Sequence, residues 1–392
     1  MPRDQPLTSK LRGFGTTIFA EISALALTTG SINLGQGFPD TDGPSEVLDA
    51  AIDAIRAGVN QYPPGPGFPV LREAIARHQQ RFYGLEHDPD TEILVTAGAT
   101  EALAGALLGL LDVGDEVVVF EPMFDSYAPC IALAGARAVP VLLRPDADGR
   151  YEFDADELRG AVTSRTRMVL LNTPHNPTGK VFDADELAAV AEVATEHDLI
   201  VVTDEVYEHL VFPGARHVPI ATLPGMAERT LTISSGGKTF SATGWKIGWM
   251  CGPPSLVAAA RVVKQYLTFT SGGPFQMAIA VGLDLGDGFY DDIAADLTAK
   301  RDRLVDGLRR AGLETFEPEA TYFTTVDIRP LQPDGDGMAF CRALPERCGV
   351  VAVPNEVLFL RPELGRHLVR FACCKRLDVL DDAVERLAKL SR

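Results

Sequence analysis

One lysine lies where the sequence could do covalent chemistry. Lys238 is within residues 234–249, a segment of glycines and small residues that follows the apolar run 230–233. Small side chains let the backbone approach a ligand closely. A lysine that is partly removed from water loses its proton more readily and can act as a nucleophile. Taken alone, the segment is explained equally well as a loop with solvated lysines.

Four groups of residues share one position, directly after a predicted apolar strand. They are Gly98-Ala99-Thr100 after residues 93–96, the loop 172–179 after residues 168–171, Asp204 and Tyr207 after residues 199–203, and Lys238 after residues 230–233. Each group alone is explained by a turn, a cap or a packed side chain. Ligands of α/β sheets bind beyond the carboxyl ends of the strands, so four such groups together indicate a binding site.

Gly237-Lys238-Thr239 also matches the last three residues of the phosphate-binding P-loop motif. That motif requires a glycine five residues earlier, and the residue there is Thr232. The acidic strand that could serve such a nucleotide hydrolase comes before the lysine, which is the wrong order for that fold. The P-loop interpretation is therefore not favoured.

The groups at the strand ends match the needs of pyridoxal phosphate. A lysine forms the Schiff base with its aldehyde, and a carboxylate stabilises the protonated ring nitrogen so that the ring accepts electrons. A phenol and an amide hydrogen-bond the ring hydroxyl, and a helix N-terminus binds the phosphate. The sequence therefore predicts a pyridoxal phosphate site at one edge of a sheet.

The elements that position this site alternate between strand and helix. From about residue 92 to residue 203, nearly continuous apolar strands separated by helices predict a parallel sheet covered on both faces. Asp183 is predicted to be the N-cap of a helix over residues 183–196. After residue 311, short strands at 321–326, 350–353 and 368–372 predict a smaller α+β unit. The predicted divisions are an N-terminal arm, 1–36, that packs with the small domain, a large domain, 37–285, and a small domain, 286–392.

Composition narrows the classes of function. The 392 residues carry a formal charge of −18, which argues against nucleic acid and anionic membranes as partners. We find no apolar run long enough to span a membrane and no apolar core of a signal peptide at the N-terminus. The six cysteines form no C-x-x-C pair and are expected to be buried in a reducing cytoplasm. The seven histidines have no metal-ligand spacing, so no metal site is predicted.

Five motifs in this order resemble those of the fold-type I, class I/II aminotransferases. They are residues 33–39, Asn-Leu-Gly-Gln-Gly-Phe-Pro; residues 174–179, Pro-His-Asn-Pro-Thr-Gly; residues 204–207, Asp-Glu-Val-Tyr; residues 234–249; and residues 367–371, His-Leu-Val-Arg-Phe. The resemblance extends from about residue 12 to residue 390. It is greatest for the kynurenine, glutamine and methionine aminotransferases and the bacterial N-succinyl-diaminopimelate enzymes. It implies a large domain with a mostly parallel seven-stranded sheet covered by helices, plus a smaller α+β domain.

The resemblance also implies a role for individual residues. Lys238 would hold pyridoxal phosphate and move the proton, Asp204 would face the ring nitrogen, and Asn176 and Tyr207 would bond the ring oxygen. The remaining cofactor-binding residues that it implies are Gly98, Ala99, Thr100, Phe124, Ser235, Lys246 and Tyr62. Tyr62 would reach the phosphate of a second subunit, so the resemblance implies a homodimer with shared sites.

For the substrate, the resemblance implies that Arg370 binds the α-carboxylate through a bidentate fork. The backbone N–H of Gly37 would bind the same carboxylate, with Asn176 beside it. Phe19 occupies the position of a tryptophan that lines the side-chain pocket in kynurenine aminotransferases. Gly272 and Gly236 are smaller than the residues of many relatives, which argues against kynurenine and for a roomier pocket.

The implied reaction moves an amino group from an L-amino acid to a 2-oxo acid through pyridoxamine phosphate. Local sequence at residues 60–67 and 205–210 is closer to the N-succinyl-diaminopimelate type, and neutral or aromatic amino acids remain open. An alternative is a cysteine-S-conjugate β-lyase that uses the same site. A third hypothesis, a regulator that senses the cofactor, is disfavoured because the sequence has no basic DNA-binding segment.

Overall fold

The structure, a computed structural model, describes residues 7–15 and 18–391. In chain order its α-helices are α1 Ile18–Thr29, α2 Ser45–Arg56, α3 Pro69–Tyr83, α4 Gly98–Leu110, α5 Tyr127–Ala134, α6 Ala155–Gly160, α7 Ala184–Glu196, α8 Gly236–Thr239, α9 Pro254–Leu267, α10 Gly273–Leu283, α11 Asp287–Arg310, α12 Gly337–Cys348 and α13 Leu377–Leu387. Its strands are β1 Ile32–Asn33, β2 Ile93–Ala97, β3 Glu116–Glu121, β4 Arg137–Leu142, β5 Arg144–Pro145, β6 Tyr151–Glu152, β7 Thr166–Asn172, β8 Ile200–Asp204, β9 Thr230–Ser235, β10 Ile247–Cys251, β11 Glu314–Thr315, β12 Phe323–Asp327, β13 Val350–Val351, β14 Val353–Pro354 and β15 Leu368–Ala372.

Seven strands form the central sheet, in the order β2-β10-β9-β8-β7-β3-β4. All of them run parallel except β10, which is antiparallel to both of its neighbours. The predicted mostly parallel seven-stranded sheet is therefore confirmed. Because β10 runs in the opposite direction, it begins at the edge where the other strands end.

Alternation along the strands explains why helices cover both faces. Val117 and Val119 of β3 pack in one core cluster with residues of α4 and α9. Val118 and Phe120 of the same strand pack in another cluster, with residues of α7. Successive side chains of a strand point to opposite faces, so a strand that is apolar throughout needs a helical layer on each side.

The sequence pattern predicts a loop over residues 234–249 and no strand at Ile247–Cys251, so β10 departs from the prediction. Gly248 explains why its backbone runs so close to the start of α4. A Cβ atom at Gly248 would lie 2.5 Å from the carbonyl carbon of Gly98 and 2.6 Å from the nitrogen of Ala99. Glycine at this position therefore serves a close approach of two backbones.

A second, four-stranded sheet, in the order β11-β12-β15-β14, is antiparallel throughout. Its core cluster also contains Ile18, Ile22 and Ala26 of α1, and β1 pairs with β13. The N-terminal helix thus packs on the C-terminal elements, while the domain boundaries at residues 36 and 285 stay predictions. None of the described helices is long and apolar enough to cross a membrane.

The start of α7 is as the sequence predicts. Asp183 is the N-cap and accepts hydrogen bonds from the backbone N–H groups of Asp185 and Glu186, each at 3.0 Å. The Glu186 side chain accepts from the backbone N–H of Asp183, which completes a capping box.

We expect Asp183→Ala to lower the free energy of unfolding by about 1 kcal/mol, because the first turn of α7 loses its side-chain acceptor. Asp185→Ala is the matched control, since it removes an acidic side chain from the same turn and keeps the cap. Chemical denaturation of both variants measures the difference. Equal losses in the two variants would contradict the assigned capping box.

Candidate active site

A cavity of about 240 Å³ lies at the carboxyl edge of the central sheet. Ten residues that the sequence predicts line it: Gly98, Ala99, Thr100, Phe124, Asn176, Asp204, Tyr207, Ser235, Lys238 and Lys246. Seven further residues complete its wall: Leu103, Tyr127, Asn172, Val206, Gly237, Thr243 and Ile247. The groups predicted at separate strand ends are therefore brought to one place.

Lys238 lies in α8, a single turn directly after β9. Its Nζ donates a hydrogen bond to the carbonyl oxygen of Gly37 at 3.2 Å. Burial lowers the pKa of the Lys238 amine to about 8, well under the ordinary value of a lysine. About a tenth of this amine is therefore uncharged at pH 7, and the uncharged form is the one that attacks an aldehyde.

Asp204 ends β8 and is buried. Its carboxylate accepts a hydrogen bond from the Tyr127 hydroxyl at 2.8 Å and a longer one from the Val206 N–H at 3.4 Å. Burial raises the pKa of Asp204 to about 6, while the Tyr127 hydrogen bond acts in the opposite direction. At neutral pH the carboxylate is mostly ionised, so it can pair with a cation in the cavity.

Asn172 and Asn176 hold the neighbouring loop against β8. The Asn172 amide donates to the Asp204 carbonyl oxygen at 2.8 Å, and its Oδ1 accepts from the Asn176 N–H at 2.8 Å. The Asn176 backbone is thereby fixed at the cavity wall, and Asn176 lines the cavity, where its amide can bond a ligand.

Gly98 and Lys246 form the opposite end of the cavity. Gly98 is the first residue of α4 and has a φ of +73°. A Cβ atom there would lie 2.9 Å from the Lys246 Nζ, so only glycine leaves this space open. The free N–H groups at the start of a 13-residue helix and an adjacent ammonium together form a site for an anion.

Arg370 is buried in β15, 2 % exposed. Its guanidinium donates to Asn176 Oδ1 at 2.8 Å and to the Gly35 carbonyl oxygen at 3.0 Å, and it lies 3.9 Å from the centroid of the Phe323 ring. Its Nε has no hydrogen-bond partner. Burial lowers the pKa of Arg370 to about 10, so it remains charged at neutral pH. A buried, charged guanidinium with a free donor is suited to a carboxylate ligand.

Three predicted substrate residues lie outside the lining of the cavity. Arg370 and Gly37 reach it indirectly, through Asn176 and Lys238 respectively. Phe19 is partly buried, with its ring centroid 5.2 Å from the Arg370 guanidinium carbon. Tyr62, predicted to bind cofactor, is 81 % exposed and does not contact the cavity of its own chain.

The expectation that Gly236 widens the pocket is wrong. Gly236 does not line the cavity, and a Cβ atom there would lie 2.6 Å from Cδ1 of Ile279. The space beside this glycine is filled by helix α10, so the small residue serves core packing. Gly272 likewise does not line the cavity, and a Cβ atom there would lie 2.9 Å from Cδ2 of Phe275.

Comparisons with known proteins identify the family. The family described as aminotransferase class I and II matches residues 29–387. The chain belongs to this family. It is 54% identical over 392 residues to a probable N-succinyldiaminopimelate aminotransferase, DapC, of Mycobacterium tuberculosis, covering 98% of each chain. It is 41% identical to a methionine aminotransferase of Escherichia coli, covering 97% of this chain and 98% of the relative.

Solved structures agree with these matches. The N-succinyldiaminopimelate aminotransferase of Mycobacterium tuberculosis superposes with a TM-score of 0.96 at 54% identity, covering 98% of this chain and all of that one. The methionine aminotransferase YbdL of Escherichia coli superposes with a TM-score of 0.93 at 40% identity, covering 98% and 99%. The predicted fold-type I architecture is thereby confirmed.

The protein is a pyridoxal phosphate-dependent aminotransferase, and its cavity fits that cofactor. The anion site at Gly98 and Lys246 matches a phosphate, and the buried Asp204 carboxylate matches a protonated ring nitrogen. The Lys238 amine lines the same cavity and is partly uncharged. These are the donor groups that the cofactor's phosphate, ring and aldehyde require.

Prediction from sequence missed three side chains of the aminotransferase site. Tyr127 bonds Asp204, Asn172 bonds the Asp204 backbone, and the Tyr322 hydroxyl donates to the Gly37 carbonyl oxygen at 2.6 Å. Asn172 lay in a loop already predicted to face the ligand. Tyr322, by contrast, reaches Gly37 from 285 residues away in sequence, so no local spacing could have indicated it.

We expect Tyr127→Phe to raise the pKa of Asp204, because it removes a hydrogen bond that stabilises the carboxylate. The acid limb of the pH profile for cofactor binding should move up by about one unit, equivalent to about 1.4 kcal/mol. Above pH 8 the variant should approach wild type.

The matched control is Tyr151→Phe, which alters a buried tyrosine whose hydroxyl has no partner. It should leave the profile in place. A Tyr127 variant with weaker binding by the same factor at every pH would contradict the proposed effect on Asp204.

Proposed function

We propose that Lys238 carries pyridoxal phosphate and that its Nζ moves the proton during transamination. The observation that carries this proposal is that the Lys238 amine and the Asp204 carboxylate line one cavity. When bound, the cofactor supplies an aldehyde for the amino group and a ring that accepts electrons. A lysine amine with a pKa near 8 can both accept and return a proton close to neutral pH.

The pyridine ring of the cofactor is proposed to be held by Asp204, Asn176 and Tyr207. The Asp204 carboxylate would keep a proton on the ring nitrogen, and the Asn176 amide and Tyr207 hydroxyl would bond the ring oxygen. Phe124, which is edge-on to Tyr127 at 5.6 Å between ring centroids, is available to stack on the ring. The phosphate is proposed to bind at the start of α4 and beside β9, with these residues: Gly98, Ala99, Thr100, Ser235 and Lys246.

Arg370 is proposed to bind the α-carboxylate of the substrate, with Gly37 and Asn176 beside it. The support is its burial, its positive charge and its unpartnered Nε. None of the described carboxylates forms a salt bridge with Arg370, so an incoming carboxylate would be its ionic partner. Phe19 packs over the guanidinium and would lie next to the substrate side chain.

For the substrate, we propose N-succinyl-diaminopimelate with a 2-oxo acid as the second reactant. The support is the 54% identity over 98% of each chain to the probable DapC of Mycobacterium tuberculosis. Methionine is the second candidate, on the 41% identity to the Escherichia coli methionine aminotransferase. Neither Gly236 nor Gly272 lines the cavity, so these two residues do not favour one substrate over the other.

We also propose that two copies of the chain form the active enzyme in the cytoplasm. Tyr62 is 81 % exposed beside Phe269, so its hydroxyl is free to reach the phosphate of a second subunit. The six cysteines are buried and form no disulfide, which suits a reducing compartment.

A half-reaction panel tests the proposed substrate. Single amino compounds are added to the holoenzyme, and the change in the absorbance of the bound cofactor is followed. We expect N-succinyl-diaminopimelate to react with a kcat/KM at least about tenfold above that of methionine or kynurenine, equivalent to about 1.4 kcal/mol. A faster reaction with methionine would reject the proposed substrate and retain the aminotransferase.

Lys238→Ala should abolish transamination, because it removes the amine that is proposed to attack the aldehyde and move the proton. Lys246→Ala is the contrasting variant. This variant should bind the cofactor about tenfold more weakly, which corresponds to about 1.4 kcal/mol, and it should regain activity when the cofactor is in excess. Turnover at the wild-type rate in the Lys238 variant would overturn the assignment.

Arg370→Lys should raise KM for the amino donor by roughly 30-fold or more, about 2 kcal/mol, because lysine keeps the charge and loses the bidentate fork. Arg366→Lys is the matched control, since Arg366 pairs with Asp336 at the surface. Steady-state kinetics of both variants measure the effect. An unchanged KM in Arg370→Lys would exclude it as the carboxylate ligand.

A further inference from the structure

A second cluster of polar side chains lies just beyond the segment that carries Asp204 and Tyr207. Glu208 and His209 follow Tyr207 directly but do not line the cofactor cavity. They line a different cavity, of about 650 Å³, together with Tyr83, His217 and other residues. This cluster is not used by the proposed mechanism of transamination.

Two histidines meet in this cluster. His78 of α3 and His209 face each other with their Nε2 atoms 2.6 Å apart. The ligand atoms of His78, Glu208 and His209 all lie within 4.8 Å of one another. His78 is 1 % exposed and Glu208 is 5 % exposed, while His209 is half-buried and open to the larger cavity. Because 131 residues separate the two histidines in sequence, no local spacing predicts the group.

We infer that His78, Glu208 and His209 form a binding site for a divalent metal ion of the zinc type. Two imidazoles and one carboxylate are a ligand set that zinc uses when it keeps a fourth position for water. Burial favours neutral imidazole, which is the form that binds metal. The larger cavity supplies the path for the ion and room for the water ligand.

The required movement is small. Zinc binds imidazole nitrogen at about 2.0–2.1 Å, so tetrahedral geometry separates two such nitrogens by about 3.3 Å. The two rings would therefore move apart by less than about 1 Å from their present separation. A rotation of the half-buried His209 towards the cavity would provide this distance.

Glu208 is already oriented for this role. One of its oxygens accepts from the Tyr83 hydroxyl at 2.8 Å, and the other accepts from the Ser234 hydroxyl at 2.5 Å. Each carboxylate oxygen has a second lone pair, so both hydrogen bonds can persist when a metal binds. Hydrogen bonds of this kind fix a ligating carboxylate and commonly accompany metal sites.

The alternative is a hydrogen bond between two neutral histidines with no metal. It accounts for the contact between the rings, and it predicts no affinity for metal ions. The neighbouring polar groups do not decide between the two, since Arg81 is paired with Asp287 and the His217 ring is hydrogen-bonded to Glu205. The two interpretations differ in one measurable property, the stoichiometry of bound metal.

The test uses the holoenzyme after treatment with a chelator. Zinc is added in slight excess, the protein is desalted, and bound metal is counted by mass spectrometry. We expect one zinc per chain in wild type. His209→Gln and His78→Gln should each lower the affinity at least about tenfold, and His197→Gln, which alters an exposed histidine, should leave it unchanged.

A second measurement covers variants that fail to fold. Co²⁺ replaces zinc in the wild-type holoenzyme, and its visible absorption spectrum is recorded. The ligand-field bands in this spectrum distinguish tetrahedral from octahedral Co²⁺. Tetrahedral absorption, together with a rise in Tm on metal addition that His209→Gln lacks, supports the site. The proposed metal site would be overturned if wild type retained no metal, if the spectrum were octahedral, or if His209→Gln bound the same stoichiometry of metal. None of these outcomes bears on the proposed role of Lys238.

Discussion

The removal of three charged groups from water is the constraint on which the rest of this structure depends. Asp204 and Arg370 are buried and Lys238 is half-buried around one site, and isolated charges in such a place are unfavourable. Each is held by hydrogen bonds rather than by a direct ion pair with another of the three: Asp204 by Tyr127, Lys238 by the Gly37 carbonyl oxygen, and Arg370 by Asn176. The charges therefore remain available for a cofactor and a substrate that carry the complementary groups.

The sheet supplies the rigidity that this arrangement needs. Parallel strands bring β7, β8 and β9 to the same edge, so Asn172, Asp204 and Lys238 arrive together although more than 60 residues separate the first from the last. The antiparallel β10 adds Lys246 to that edge because it starts where its neighbours end. The second sheet contributes Arg370, and the loop at Gly37 lies between the two sets of elements.

Much of the site could be predicted because its residues follow apolar strands. The runs at 168–171, 199–203 and 230–233 became β7, β8 and β9, and the groups after them line the cavity. What could not be predicted depends on tertiary contacts. The direction of β10, the reach of Tyr322 to Gly37 and the filling of space beside Gly236 by Ile279 are set by elements distant in sequence. In the sequence the small residue at position 236 suggests pocket space, whereas in the structure it serves packing.

The close approach of Gly248 to Gly98 has a consequence for how this enzyme can change. The two backbones touch where neither residue has a side chain, and one of them opens the proposed phosphate site. A side chain at position 248 would displace the backbone at Gly98, and a side chain at position 98 would displace Lys246, so both glycines are tied to the geometry of the phosphate site. Substrate preference is therefore free to diverge around Phe19, which is proposed to lie next to the substrate side chain, whereas position 248 is expected to accept only glycine in laboratory evolution.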